Sequence, residues 1–264
     1  MRIDLTGRTA LVTGSTQGIG AAIAGGLAEA GARVGVNGRD KERVDAAIRQ
    51  MREEVPHGDF VAVGADVSSE EGAAIALDTL PEVDVLINNL GVFGSQDPLA
   101  ISDEEWRRYF DVNVLAAVRL TRAYMPRMLE NDWGRVQYIS SESAVTIPEE
   151  MIHYGMTKTA LLAVGRGFAK KAAGTGVTVN SVLVGPTRTA GVEEFVYGLV
   201  GRDLPWEEAE RVFMREHRPQ SLLRRLILPE EIANMVVYLS SDQASATTGG
   251  ALRVDGGCVD SVIP

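Results

Sequence analysis

Short apolar runs alternate with amphipathic stretches from one end of the chain to the other. The runs fall at 9–13, 33–36, 60–63, 83–87, 135–140, 177–183 and 251–254, and they are nearly continuous in Val, Ile, Leu and Ala. Strict apolar–polar alternation is missing, which predicts strands buried on both faces, as in a parallel sheet. Between the runs, apolar positions recur at helical spacing. Ile19, Ile23 and Leu27 form one such stripe, and Gly31 follows as its C-terminal cap. Ser102-Asp103-Glu104-Glu105 has capping-box spacing and predicts a long helix running toward Asn131. Pro229, with Glu230 and Glu231 behind it, suits the first turn of a helix through Leu239. The alternation predicts an α/β fold: one domain over 1–264, a doubly wound parallel sheet of Rossmann type with helices on both faces. Only the stretch 190–225 breaks the rhythm.

Composition narrows the picture by exclusion. The chain has 264 residues and a net charge of -10, a poor match to nucleic acid, which rewards clustered Lys and Arg. Cys258 is the only cysteine, so neither an internal disulfide nor a thiolate metal cluster can form, and no metal site is expected. No apolar run approaches the roughly 20 residues of a membrane span. The N-terminal residues lack the apolar core of a secretory signal, so no membrane partner and a cytoplasmic location are expected.

Two motifs carry chemistry. The first strand runs into Gly14-Ser15-Thr16-Gln17-Gly18-Ile19-Gly20, which opens a helix. Glycines there permit a tight turn, and the helix start offers N–H donors and a favourable dipole to a pyrophosphate. Further on, Tyr154-Gly155-Met156-Thr157-Lys158 places a phenol and an ammonium on one helical face. A free tyrosine has a pKa of about 10, and a neighbouring cation favours its phenolate.

With Thr13 in front, the Gly-x-x-x-Gly-x-Gly loop resembles that of the short-chain dehydrogenase/reductase family, including its 3-oxoacyl-ACP reductase-like members. The resemblance runs over nearly the whole chain, most weakly across 190–225. It implies an NAD(P)-dependent oxidoreductase with Tyr154 as acid/base and Lys158 lowering its pKa and binding the nicotinamide ribose. Ser141, at the end of the strand before Tyr154, would hold the substrate oxygen, with Ser140 and Ser143 as competitors for that role. Asn113 would be the fourth member, kinking its helix and supporting a proton relay to the lysine. Asp66-Val67 should meet the adenine. Asn89-Leu90-Gly91 matches a further cofactor segment, with Leu90 where the family has alanine, a bulk expected to reshape the ribose surface. Gly185, Pro186, Thr187 and Thr189 match the segment that meets the nicotinamide, with Val184 in place of proline.

The end of the second run offers Gly38-Arg39-Asp40. Gly38 stands where NAD-preferring relatives carry an acidic residue. Arg39 could bond a 2′-phosphate, and Asp40 reads as a helix cap. NADP(H) is therefore favoured, with NAD(H) the alternative. The stretch 190–225 carries Phe195, Tyr197, Leu199, Val200, Trp206, Phe213 and Met214. It reads as a substrate lid over a pocket for an apolar or cyclic ketone. A 3-oxoacyl thioester is the nearest rival, its anionic carrier protein meeting Arg107, Arg108, Arg122 and Arg127. The expected partners are a small carbonyl or alcohol substrate and further copies of the chain, as a tetramer or dimer. An NAD-dependent alcohol dehydrogenase and a catalytically inactive dinucleotide sensor or scaffold are the alternatives.

Overall fold

The computed structural model describes residues 2–262; Met1, Ile263 and Pro264 of the expected domain lie outside it. Seven strands form one sheet in the order β3-β2-β1-β4-β5-β6-β7, every neighbouring pair parallel. They are β1 (Thr9–Val12), β2 (Arg33–Gly38), β3 (Asp59–Gly64), β4 (Val85–Asn88), β5 (Gly134–Ser141), β6 (Val177–Val184) and β7 (Ala251–Val254). The order reverses between β1 and β4, the place where an open α/β sheet forms its ligand crevice.

One face carries α1 (Gly18–Glu29), α2 (Lys41–Glu54) and α9 (Pro229–Leu239); Ile23, Leu27, Ile48, Ile232 and Val236 share one apolar core there with the strands, α9 lying beside α1. The other face carries α3 (Glu70–Thr79), α5 (Ala116–Glu130) and α6 (Ile152–Lys171), meeting Leu11, Leu86 and Val136. Gly31 takes φ +96° behind α1, as its place past the helix end requires. Glu231 accepts from Leu228 N and from both terminal nitrogens of Arg225, which holds its carboxyl down at about 2.

Two expectations need correction. The long helix from Ser102 is interrupted: α4 (Asp103–Phe110) passes through a π-type turn at Asp111–Leu115 before α5 begins. Ser102 caps α4 through Glu105 N, but the Glu105 carboxylate bonds Arg108 and Gln96 rather than closing the box. Strand β5 is also less apolar than its run suggests, because Arg135 and Gln137 are fully buried in it. Arg135 donates to Ser241 O, Gly134 O and Gly176 O, and lies over the Trp133 ring. Gln137 donates to Val236 O and Ser240 Oγ, tying β5 to α9.

Residues 190–225 form α7 (Ala190–Val200), α8 (Trp206–Glu216) and a following loop. Val196, Ala209, Phe213, Met214 and Leu226 make a small core of their own. Among the described residues no helix is long and apolar enough to cross a membrane, and no cluster of His, Cys, Asp or Glu could hold a metal.

Replacing Arg135 with Leu removes its hydrogen bonds to Ser241 O, Gly134 O and Gly176 O and its contact with the Trp133 ring. At about 0.5–1.5 kcal/mol for each lost hydrogen bond, urea denaturation should show a clear loss of stability. Arg107→Leu, on an exposed ion pair, should change it by no more than about 0.5–1 kcal/mol.

Candidate active site

The loop after β1 needs its glycines for space as well as conformation. Gly14 and Gly18 take φ +61° and +57°. A Cβ on Gly20 would lie 2.4 Å from Gly14 O and 2.6 Å from Asn89 Nδ2. The amino end of α1 is uncapped: Gln17 makes no side-chain cap bond and the first turn holds no acidic residue. By contrast Asp40, Ser69 and Ser102 each cap their helices with a side-chain oxygen. Open amides at a helix start fit a bound phosphate. They face a cleft with a cavity volume of about 300 Å³, within the ~300–1,000 Å³ of small-ligand and cofactor sites. Gly14, Gln17, Gly18, Ile19 and Gly20 line one end of it.

Ser15, expected against the cofactor, turns inward instead. Its Oγ donates to Val12 O and accepts from Asn37 N, while its own N donates to Asn37 O. The sequence reading missed Asn37, a buried amide that holds the loop: Oδ1 accepts from Gly14 N, and Nδ2 donates to Val63 O and Ala65 O. A lone polar residue in an apolar strand was its one signal. Thr16 packs on Gly38, where a Cβ would come within 2.6 Å of its methyl. Arg39 is exposed beyond the strand end, and Asp40 caps α2 as its position suggested. The Asp66 carboxylate is engaged by Ser68 N and Oγ. Leu90 turns into the core beside Val67 rather than toward a ribose.

At the other end of the cleft stand Ser141, Tyr154 and Lys158, with Asn89, Gly91, Gly185, Pro186, Thr187 and Thr189 along its sides. Strand β5 delivers Ser141 and α6 delivers the other two catalytic candidates. Geometry separates the serines: Ser140 Oγ donates to Lys158 O, a structural bond, whereas Ser141 Oγ donates to Glu142 Oε2 at 2.5 Å and accepts from Ser143 N. Lys158 Nζ donates to Ile139 O at 2.9 Å and stands 5.5 Å from the centre of the Tyr154 ring. Asn113 sits in the π-type turn, its Oδ1 accepting from Val92 N and its Nδ2 donating to Val92 O and Thr157 Oγ1. Both N–H groups of its amide are committed to holding this corner, so its side chain has no free proton for a relay. Thr189 caps α7 and packs over Gly18, bridging the two ends of the cleft.

A family model described as enoyl-(acyl carrier protein) reductase, of the adh_short_C2 type, matches residues 14–259. The oxidoreductase YvaG of Bacillus subtilis is 48% identical, covering 99% of this chain and all of that one. The 3-oxoacyl-[acyl-carrier-protein] reductase of Aquifex aeolicus is 31% identical over 97% of this chain and 99% of its own. The crystal structure of an L-sorbose reductase from Gluconobacter frateurii, complexed with NADPH and L-sorbose, superposes with a TM-score of 0.92. It is 30% identical and covers 99% of this chain and all of that one. The chain belongs to the short-chain dehydrogenase/reductase family. It is an oxidoreductase of that family, whose members bind NADP(H) or NAD(H).

Within this family frame burial acts on both proton-bearing groups. With the Glu142 carboxylate next, it pushes the Tyr154 phenol above its ordinary range, while the Ser141 hydroxyl acts the other way. It also pushes the Lys158 ammonium down to about 8. The pocket wall also holds two charged residues that the sequence reading passed over. Glu142 and Arg218 are both buried, with Oε1 and Nε 3.7 Å apart. Phe93, Phe195 and Phe213 reach the cleft beside them, whereas Trp206 and Tyr197 stay within the lid. His153 faces away from the cleft, fully buried against Tyr109 and Trp106.

Lys158 loses its proton at about pH 8 when folded and near its ordinary 10.5 when unfolded. Between these values the unfolded chain binds more protons, so stability gains with rising pH. Nucleotide-free Lys158→Met should be more stable than wild type at neutral pH, with the gap closing as pH rises past about 8. Urea titrations at several pH values measure this; a gap that does not change with pH would refute the buried-charge account.

Proposed function

We propose that this protein transfers hydride between NADP(H) and a carbonyl or alcohol substrate, with Tyr154 as the acid/base. The observation that carries this reading is the meeting of the Ser141 hydroxyl, the Tyr154 phenol and the buried Lys158 ammonium in the cleft that the open end of α1 also faces. The backbone of residues 14–20 would hold the pyrophosphate. Lys158 would hold the nicotinamide ribose, with Thr189 and the Gly185–Thr187 segment flanking the ring. A bound nicotinamide supplies the hydride on reduction and takes it up on oxidation. Ser141 and Tyr154 hold the substrate oxygen where negative charge develops. Burial keeps the phenol protonated, so Tyr154 is ready to give its proton to that oxygen. Asn113 positions α6 and the Val92 turn around them.

NADP(H) is favoured over NAD(H) by the end of β2. Arg39 is exposed and, among the described residues, makes no hydrogen bond or ion pair, while the Asp40 carboxylate accepts from Glu42 N and Arg43 N. A free guanidinium suits a 2′-phosphate, and a committed carboxylate is a poor acceptor for a 2′-hydroxyl. The NADPH held by the sorbose reductase supports the same choice.

A thioester carried on an anionic protein is less well supported. Arg107, Arg108 and Arg127 are paired with Asp103, Glu105 and Glu82, leaving Arg122 alone of the four without an ion pair among the described residues.

Tyr154→Phe should lower kcat for ketone reduction by about 10²–10⁴-fold while NADPH still titrates the nicotinamide fluorescence as in wild type. Substantial residual turnover would remove Tyr154 from its role. Arg39→Ala should weaken NADPH binding about 10–100-fold and leave NADH binding unchanged. Tighter binding of NADH than NADPH by the wild type would reverse the cofactor assignment.

A further inference from the structure

The wall of the cleft next to Ser141 carries an ion pair that the hydride-transfer reading leaves without a task. Glu142 and Arg218 sit among Phe93, Met151, Phe195 and Phe213, a setting in which two apolar side chains would be at least as stable as two charges. Both have bonding capacity to spare. Of the five N–H donors of Arg218, only one, on Nη1, makes a hydrogen bond among the described residues, to His217 O, while the guanidinium lies over the Phe213 ring. Glu142 accepts from Ser141 at Oε2, and its Oε1 faces Arg218 across 3.7 Å, too far for a hydrogen bond.

The spare donors and acceptors on the cleft side of the pair specify its ligand. A hydroxyl donates and accepts, so it can give its proton to Glu142 while accepting from Arg218. A carboxylate would satisfy Arg218 but meet the charge of Glu142, and an ammonium would do the reverse. Burial raises the Glu142 carboxyl while Ser141 and Arg218 oppose that rise; with the carboxylate ionised the pair is neutral as a whole, which favours a neutral substrate. Ser141 fixes the distance: the reacting oxygen sits on Ser141, and Glu142 is one hydrogen bond beyond it. The recognised hydroxyl therefore belongs on the carbon adjacent to the reacting carbon.

We propose that Glu142 and Arg218 form a hydroxyl-recognising subsite that selects neutral α-hydroxy ketones and, in the reverse direction, the matching vicinal diols. This rests on the hydride-transfer reading above. On reduction, the carbonyl carbon receives hydride from the reduced nicotinamide, which is thereby oxidised, and the oxygen receives a proton from Tyr154; the α-hydroxyl is unchanged. That hydroxyl also has a positioning effect. The proton of Ser141 is engaged by Glu142 Oε2 at 2.5 Å, and a substrate hydroxyl donating to Oε1 weakens that carboxylate as an acceptor, easing the turn of the Ser141 proton toward the carbonyl oxygen. Recognition should therefore appear in kcat as well as in KM.

The test compares matched pairs that differ only in the α-hydroxyl, acetoin against 2-butanone and 2-hydroxycyclohexanone against cyclohexanone, with NADPH in steady state. Acetoacetate serves as the anionic control. The wild type should prefer the hydroxylated member by at least about tenfold in kcat/KM, part of it in kcat. Glu142→Gln, close in volume, should reduce that ratio at least about tenfold, with NADPH titration showing that the variant is folded. Equal rates on the two members of each wild-type pair, with Tyr154 still required, would overturn the subsite and leave the hydride-transfer reading standing. Preference for acetoacetate, lost in Arg218→Gln, would replace it with a carboxylate site. Failure of the wild type to reduce any of these carbonyls would overturn the hydride-transfer reading, and the subsite with it.

Discussion

Thr13 holds the two turns on which the cleft depends. At the centre of the sheet, β1 and β4 lie side by side, and the chain leaves them in opposite directions. The Thr13 hydroxyl donates to Ile87 O and accepts from Asn89 N and Leu90 N, which uses its one proton and both lone pairs. The Asn89 side chain answers by donating to Thr13 O and Gly14 O. Three neighbouring residues thus fix the gap between the phosphate loop and the turn after β4. Asn37 fixes the same loop from the side of β3. The glycines can remain side-chain-free because other residues supply the rigidity.

The legible parts of the sequence were those written in local periodicity. A strand buried on both faces reads as an apolar run, so β6 and β7 fell within a residue of their observed limits. The Tyr154–Lys158 pair was legible because four residues on a helix bring side chains together. Illegible features depended on partners distant in the chain. No glycine or proline near Asn113 marks a helix break, and only the family resemblance pointed to one; the π-type turn goes with its bonds to Val92 and Thr157. Arg135 and Gln137 look out of place in a strand until Ser241 and Val236 appear opposite them. Resemblance favoured Ser141 over Ser140, but a physical difference between them appeared only with the bond from Ser140 to Lys158 O. Arg218 gave no local signal, because its counterpart lies in a different element altogether.

The interior of the cleft acts on its two proton carriers in one direction. Burial raises Tyr154 and lowers Lys158, so in both cases the uncharged form gains. Sequence spacing suggested a cation pulling a phenol toward phenolate; burial opposes that pull, in a site that resists isolated charge and rewards charge that arrives with a partner. Such a site is well suited to a reaction in which negative charge forms on an oxygen only as a proton reaches it.

The α7–α8 segment has its own apolar centre around Val196, Phe213 and Leu226, and the chain after it returns to the body where Ile227 bonds Pro186 and Arg188 and where Leu222 and Leu223 bond Gly256. That separation makes the two parts modular. Substitutions at the cleft-facing positions of the helical hairpin leave the packing of β1 and β4 untouched, so one side of the cleft can be rewritten while the turns that Thr13 holds stay as they are.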